Sequence, residues 1–322
     1  MDEIKDKLTN PSKETMQDKR GHFWCYLSLT LIILLVASIL YFITSKGIAT
    51  FVQDKVNIGD FLTGKDWDPA AGASKVGALP MITTSFAVTV LSALTATPFA
   101  LAIGLFTTQY AKNGAKFLQP VIELLIGIPS VVYGYVGLTV IVPFIRKVFG
   151  GTGFGILSGT IVLFVMVLPT ITSLTIDSLK AVPLHYRQAS LALGATRWQT
   201  IYKVILRASA PGIFTAVIFG MARAFGEALA VQMVIGNACL MPKSLVTPTA
   251  TLTSQLTSQM GNTVMGTLSN NALWSLALIL LFMSLFFNLL VRLIAKRGEM
   301  KKRIQKRAIK SQPELFGRSS QS

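Results

Sequence analysis

Three observations predict an all-α integral membrane protein with six transmembrane helices. Of 322 residues, 52% are hydrophobic and only 14% charged, and the mean hydropathy is +0.57, a balance that suits a chain solvated by lipid. Six apolar stretches reach the roughly 20 residues that a helix needs to cross about 30 Å of hydrocarbon. Basic residues, finally, crowd the connections on one side of those stretches and thin out on the other, as cytoplasmic and external loops do.

The elements follow in order. A polar tail, residues 1–23, precedes the first stretch, 24–46, whose apolar run exceeds that of a signal peptide. No small-x-small cleavage site follows Tyr41, so the segment reads as a retained anchor. Residues 47–79 form an external loop. The core, residues 80–294, carries five more spans, expected at 80–108, 119–143, 155–176, 211–236 and 271–294. A basic tail, 295–322, ends the chain. Of the 30 Lys and Arg residues, 22 fall on the side of the two tails and 7 on the other, with Arg223 alone inside a span. Both termini are therefore expected in the cytoplasm. The net charge of +16 then reflects topology and a tail lying against anionic lipid, and needs no nucleic acid to explain it.

Several chemistries find no support. Cys25 and Cys239 fall at opposite membrane faces, and His22 and His185 lack clustered partners, so neither a disulfide nor a metal site is expected and no cofactor is implied. GDFLTGKD, residues 59–66, has the glycine spacing of a phosphate loop, but Asp66 stands where a hydroxyl would bind magnesium and no strand precedes it. GGTGFG, residues 150–155, reads as a turn. The chain carries no ATPase machinery and is expected not to be an enzyme.

One cytoplasmic segment is too long for a plain connector. In the loop 177–210, Pro183 can open a helix, Gly194 supplies a left-handed stop and Thr196 can cap a second helix. Trp198, Ile201, Val204 and Ile205 keep helical spacing there. This hairpin either lies on the membrane surface or offers its first helix and turn to a partner.

QASLALGATRWQTIYKVIL, residues 188–206, resembles the EAA loop of ABC-importer permeases, a cytoplasmic helix-turn-helix that docks into the ATP-binding subunit. Ala189 and Gly194 match, whereas Gln188 replaces the usual Glu, Ser190 the second Ala, and Arg207 a frequent Pro. DWDP with GALPMITTS, GIPSVVYGYVGL and ARAFGEALAV are similar to the PstC-type permease of the phosphate ABC importer. This resemblance covers nearly the whole chain outside its tails. It implies the type I ABC importer permease (MetI-like) architecture in a bacterial plasma membrane, and inward translocation of inorganic phosphate. It further implies a PstA-like permease as heterodimer partner, a PstB-like ATPase dimer and a PstS-like extracytoplasmic phosphate-binding protein. Gln188, Ala189, Leu191, Gly194 and Ala195 become the ATPase-coupling residues, and Arg223 and Glu227 touch the substrate path. A permease for another oxyanion shares these features. An ion-coupled secondary phosphate transporter would show an internal repeat of its spans, and none is visible.

Arg223 and Glu227 raise a physical question of their own, because a charge near a bilayer centre costs about 2.5–3.5 kcal/mol on insertion scales. If the fifth span is one helix, Ala216, Gly220, Arg223, Glu227 and Ala230 share a face. Small residues then flank the charges and leave a groove where the guanidinium can take a phosphate oxygen. Glu227 would pair with Arg223 when the path is empty; a purely structural i,i+4 ion pair is the competing reading. In the third span Pro129 removes a backbone donor, so a break is expected there with Ser130 and Tyr133 lining a cavity and Gly134 in close helix contact. Glu123 is expected in a first helical turn, and Pro169 with Thr170 in a kink without function.

The distribution of basic residues makes a direct prediction. A cysteine placed at Ser74 should react with an impermeant reagent in intact cells, and one at Ser311 should not. The reverse labelling would end the six-span arrangement with both tails inside.

Overall fold

The computed structural model describes residues 13–72, 75–110 and 114–310; most of the N-terminal tail, Ser74, and the tail from residue 311 lie outside them. Six helical runs are long and apolar enough to cross a membrane: Arg20–Val52, Leu79–Tyr110, Ser130–Phe149, Ile156–Lys180, Arg197–Phe225 and Leu268–Leu290. The number agrees with expectation, but the third and fifth differ in extent. Among the described residues the only extended pairings are two isolated bridges, Trp67 with Val76 and Gly236 with Thr249.

Helix α1, Lys13–Val52, is one 40-residue rod, about 60 Å at 1.5 Å per residue. Among the described residues, its hydrogen bonds to other elements lie at its C-terminal end. Ser275 Oγ donates to the Gly47 carbonyl and to Thr50 Oγ1, each at 2.7 Å, and Asn271 Nδ2 donates to Asp54 Oδ2 at 2.9 Å. A side chain at Gly47 would stand 2.9 Å from Leu278 Cβ and from the Trp274 carbonyl, so the glycine permits the crossing. The external loop is packed: in the short helix α2, Ile58–Thr63, Phe61 is fully buried and meets Phe51 edge to face. Residues 59–63 are thus helical, and GDFLTGKD forms no phosphate-cradling loop.

Helix α3, Leu79–Leu105, runs on through a π-helical turn, Phe106–Tyr110. Helix α4, Gly114–Gly127, follows. It begins five residues before the expected start of the third span, so Glu123 lies past its middle, exposed and bonded to Gln119 Nε2. The chain then breaks at Pro129, whose extended backbone (ψ 138°) opens α5, Ser130–Val136. A π turn, Gly137–Ile141, leads into α6, Val142–Phe149. The expected break is therefore present, but the membrane-length run is the segment after it. Pro129 frees the backbone from the helical ladder on its N-terminal side and fits the first turn on the other.

Helix α7, Ile156–Lys180, is the centre of the bundle, with 67% of its apolar window buried. It packs against α3 and against α10, Leu206–Phe225. The core includes Val88, Val162, Leu163, Val167, Ile171 and Val234. Small residues set the spacing: a side chain at Gly137 would come within 2.5 Å of Val162 and 2.7 Å of Val234, and one at Gly134 within 2.9 Å of Ala230. Gly134 thus serves close contact, as expected.

The hairpin of residues 184–200 forms as its sequence predicts. Helix α8, Leu184–Ala192, follows Pro183, and Gly194 (φ +80°) reverses the chain. Thr196 and Gln199 cap α9, Arg197–Thr200, reciprocally. The second arm does not stay on the surface, however. It continues through a π turn, Ile201–Ile205, into α10, and Ile201 and Ile205 pack on Leu179. Beyond α10 come α11, Leu229–Ile235, and α12, Leu252–Gln259, then α13, Leu268–Lys310. Cys25 is exposed, while Cys239 donates to Gln255 Oε1, and burial pushes its thiol up to about 11.

Because Gly137 lies between two β-branched side chains, Gly137→Val should overpack the bundle by about 1–3 kcal/mol. The purified protein should unfold at a lower temperature than wild type. Gly127→Ala, where a Cβ meets nothing within 4 Å, should change little in the same melt.

Candidate functional site

The fifth span does not continue through Glu227. Helix α10 ends at Phe225, and three residues, Gly226 to Ala228, separate it from α11. Arg223 is in the last turn of α10, partly buried, and its Nη1 donates to Thr170 Oγ1 on α7. Glu227 turns elsewhere: Oε1 accepts from the Ala230 amide at 3.3 Å, which caps α11, and its carbonyl accepts from Thr253 Oγ1 at 2.9 Å. The shared helical face expected for 223, 227 and 230 is therefore absent. Among the described residues no ion pair joins Arg223 to Glu227. The reason is local, since one interruption of the 3.6-residue repeat sends residues on its two sides to different neighbours.

The remaining path residues divide. Tyr133 Oη donates to the Leu125 carbonyl at 2.8 Å, reaching back over the Pro129 break to satisfy an α4 carbonyl. Ser130 opens α5, partly buried, and is not among the residues around Glu227 described next. On the hairpin Gln188, Ala189, Leu191 and Gly194 are exposed and Ala195 partly so. Leu193 is 89% exposed and Leu184 and Trp198 are exposed as well, so the hairpin carries apolar side chains left uncovered by the described residues.

Glu227 borders a small cleft, with room for about one water molecule, between α3, the break and the start of α12. Its polar lining is Ser85, Thr89, Glu227, Thr251 and Thr253; Val88, Leu163, Ala224, Phe225 and Val231 supply the apolar half. The hydroxyl residues are all at most 6% exposed. Thr251 caps α12 by accepting from the Ser254 amide, and the Leu252 amide donates to Ser85 Oγ at 2.9 Å, tying α12 to α3. Sequence reasoning missed these hydroxyls and also Thr170, which was assigned to a kink without function. The available clue was the run of hydroxyl residues at 84, 85, 89 and 92 in an otherwise apolar span.

Comparison with known proteins accounts for this architecture. Residues 96–299 match the family described as binding-protein-dependent transport system inner membrane component. The probable ABC transporter permease protein YqgH of Bacillus subtilis (strain 168) is 49% identical over 276 residues, 85% of this chain and 89% of its own length. The phosphate transport system permease protein PstC of Xylella fastidiosa (strain Temecula1) is 30% identical over 275 residues, 77% of this chain and 83% of that one. A chain of the bacterial alginate ABC transporter, solved in complex with an alginate pentasaccharide-bound periplasmic protein, shares the fold. It superposes with a TM-score of 0.58 at 16% identity, over 87% of this chain and 98% of that one. The chain belongs to the binding-protein-dependent transport system inner membrane components: it is a multi-pass inner-membrane permease subunit of an ABC transporter, with the type I importer fold, and not an enzyme.

Proposed function

We propose that this subunit forms half of a path that carries inorganic phosphate into the cytoplasm, with Arg223 as its transient anion site. The carrying observation is the state of Arg223: a guanidinium in the bundle, held by one neutral hydroxyl and, among the described residues, by no carboxylate. A structural ion pair would have consumed that charge. A single hydrogen bond to Thr170 positions the guanidinium while leaving its other N–H groups free, and a planar fork of donors suits a tetrahedral oxyanion. Relatives named as phosphate permeases support the choice of anion.

Glu227, across the break, opposes the field of Arg223 and keeps the anion from being held too tightly to leave. Ser130 and Tyr133 belong to the same path on its α5 side. The partners in this reading are a PstA-like permease completing the pore, a PstB-like ATPase dimer and a PstS-like external binding protein. Gln188, Ala189, Leu191, Gly194 and Ala195 make the cytoplasmic contact, for which the exposed apolar tip around Leu193 is suited. Both tails lie in the cytoplasm, and the bacterial plasma membrane is the site of action.

Arg223→Ala should cut phosphate uptake by about tenfold or more while the complex still assembles, because a lost charge-assisted hydrogen bond is worth about 1.5–3 kcal/mol. Arg223→Lys should retain part of the uptake, since a point charge remains without the fork. Full uptake by Arg223→Ala would refute the assignment, and loss only of arsenate or another oxyanion would move the substrate.

Gly194→Asp puts a side chain at φ +80° and a charge on the tip. Substrate-stimulated ATP hydrolysis should fall while the membrane protein still inserts. Normal coupled hydrolysis would show that the hairpin is not the contact.

A further inference from the structure

The break between α10 and α11 gathers amides and oxygens around the small cleft beside Glu227, and most of them are already committed to one another. Ser85 Oγ accepts from the Leu252 amide at 2.9 Å, Glu227 Oε1 from the Ala230 amide at 3.3 Å and Thr251 Oγ1 from the Ser254 amide at 3.1 Å. Thr253 Oγ1 donates to the Glu227 carbonyl and lies 3.1 Å from Thr251 Oγ1. Two capacities are left over. A serine hydroxyl that accepts still has a proton to give, and none of the described residues takes it from Ser85. A carboxylate accepts at both oxygens, and the described residues supply the Glu227 side chain with one donor.

Size and chemistry together select the occupant. The cleft has room for about one water molecule, too little for a polyatomic anion, and half its wall is polar: Ser85, Thr89, Glu227, Thr251 and Thr253. An apolar space of that size would stay dry; this one is not apolar. A bare cation would fit the volume, but it takes lone pairs alone, and three of the surrounding oxygens already accept from amides. Water both gives and takes. It can accept from Ser85 and donate to the Glu227 carboxylate and to Thr89 Oγ1, which makes up the about three hydrogen bonds typical of a buried water.

We propose that the cleft is a hydration site for one ordered water, which links the Glu227 carboxylate to Ser85 and Thr89 on α3. A water that bridges two protein groups holds them nearly as well as a direct hydrogen bond. It completes the fastening of the break, because α3 holds the start of α12 directly through Ser85 and the Leu252 amide and holds the carboxylate through the water. Glu227 is thereby kept on the α3 side. The site is independent of which anion the path carries.

Hydroxyl-radical labelling by a short X-ray pulse tests the site on the purified full-length protein, because radiolysis of a bound water oxidises the side chains that touch it even where bulk solvent is excluded. Phe225 and Phe287 are matched reporters: each is 3% exposed, and Phe225 lines the cleft whereas Phe287 does not. Phe225 should be oxidised severalfold faster than Phe287. Thr89→Ile puts a methyl group where the water would sit, and the Phe225 rate should then fall to that of Phe287. Replacing sodium and potassium with choline in the buffer should leave the wild-type rates unchanged. Equal rates for the two phenylalanines in wild type would overturn the proposal, as would fast Phe225 labelling that survives in a folded Thr89→Ile protein. A Phe225 rate that changes with the cation would assign the cleft to an ion and overturn it too. If Thr89→Ile does not fold, the wild-type comparison and the cation exchange decide the matter alone.

Discussion

Backbone that leaves a helix within a packed apolar bundle must find hydrogen bonds from protein, since neither lipid nor hydrocarbon side chains supply them. The three residues between α10 and α11 meet that demand from four directions. The Gly226 amide donates to the Ala222 carbonyl and the Glu227 amide to the Ala224 carbonyl, closing α10. Glu227 then caps α11 with its side chain, and Thr253 donates to the Glu227 carbonyl from α12. The outer segment is in this way fastened to the break: α12 is positioned by Thr253 at the break and by Ser85 on α3. The cleft exists because these elements meet at a point where no helix fills the space.

The same interruption separates two charges that an unbroken helix would have stacked one turn apart. Arg223 stays with α10 and is held by Thr170 on the central helix; Glu227 goes with α11 and α12. Neither neutralises the other. One is held against the central helix and the other stands among hydroxyls near α3, so the interior carries a positive and a negative station instead of a single ion pair. On the proposed path, an anion would meet a graded field rather than a deep well.

What the sequence made legible was whatever local chemistry decides. The six spans followed from length and hydropathy. The cytoplasmic hairpin followed from Pro183, Gly194 and the Thr196–Gln199 cap, each acting on its own neighbours. The break after Phe225 was not legible, because Ala224, Ala228 and Leu229 are good helix formers and the apolar pattern runs on. The groups that stabilise the break include Thr253, 26 residues away. The hydroxyls were hidden for a related reason. A threonine in an apolar helix usually donates to its own preceding turn, as Thr95 and Thr97 do, and only tertiary placement distinguishes Thr89 and Thr170 from them. The extent of the fifth span is hidden because Ile201 and Ile205 have the spacing of a surface stripe, whereas they pack on Leu179.

The run Arg197–Phe225 is a single helical rod of 29 residues, about 40 Å long. Its N-terminal end is the second arm of the exposed hairpin, and its far end carries Arg223. A tilt or axial shift imposed on Trp198 would reach the guanidinium as through a lever, past two joints, the π turn at Ile201–Ile205 and Pro211 inside α10. Glu227 lies past the end of the rod and is clamped to α12, so it does not follow. Motion at the hairpin tip would then change the distance between the two charges, and a mechanical input would become an electrical one.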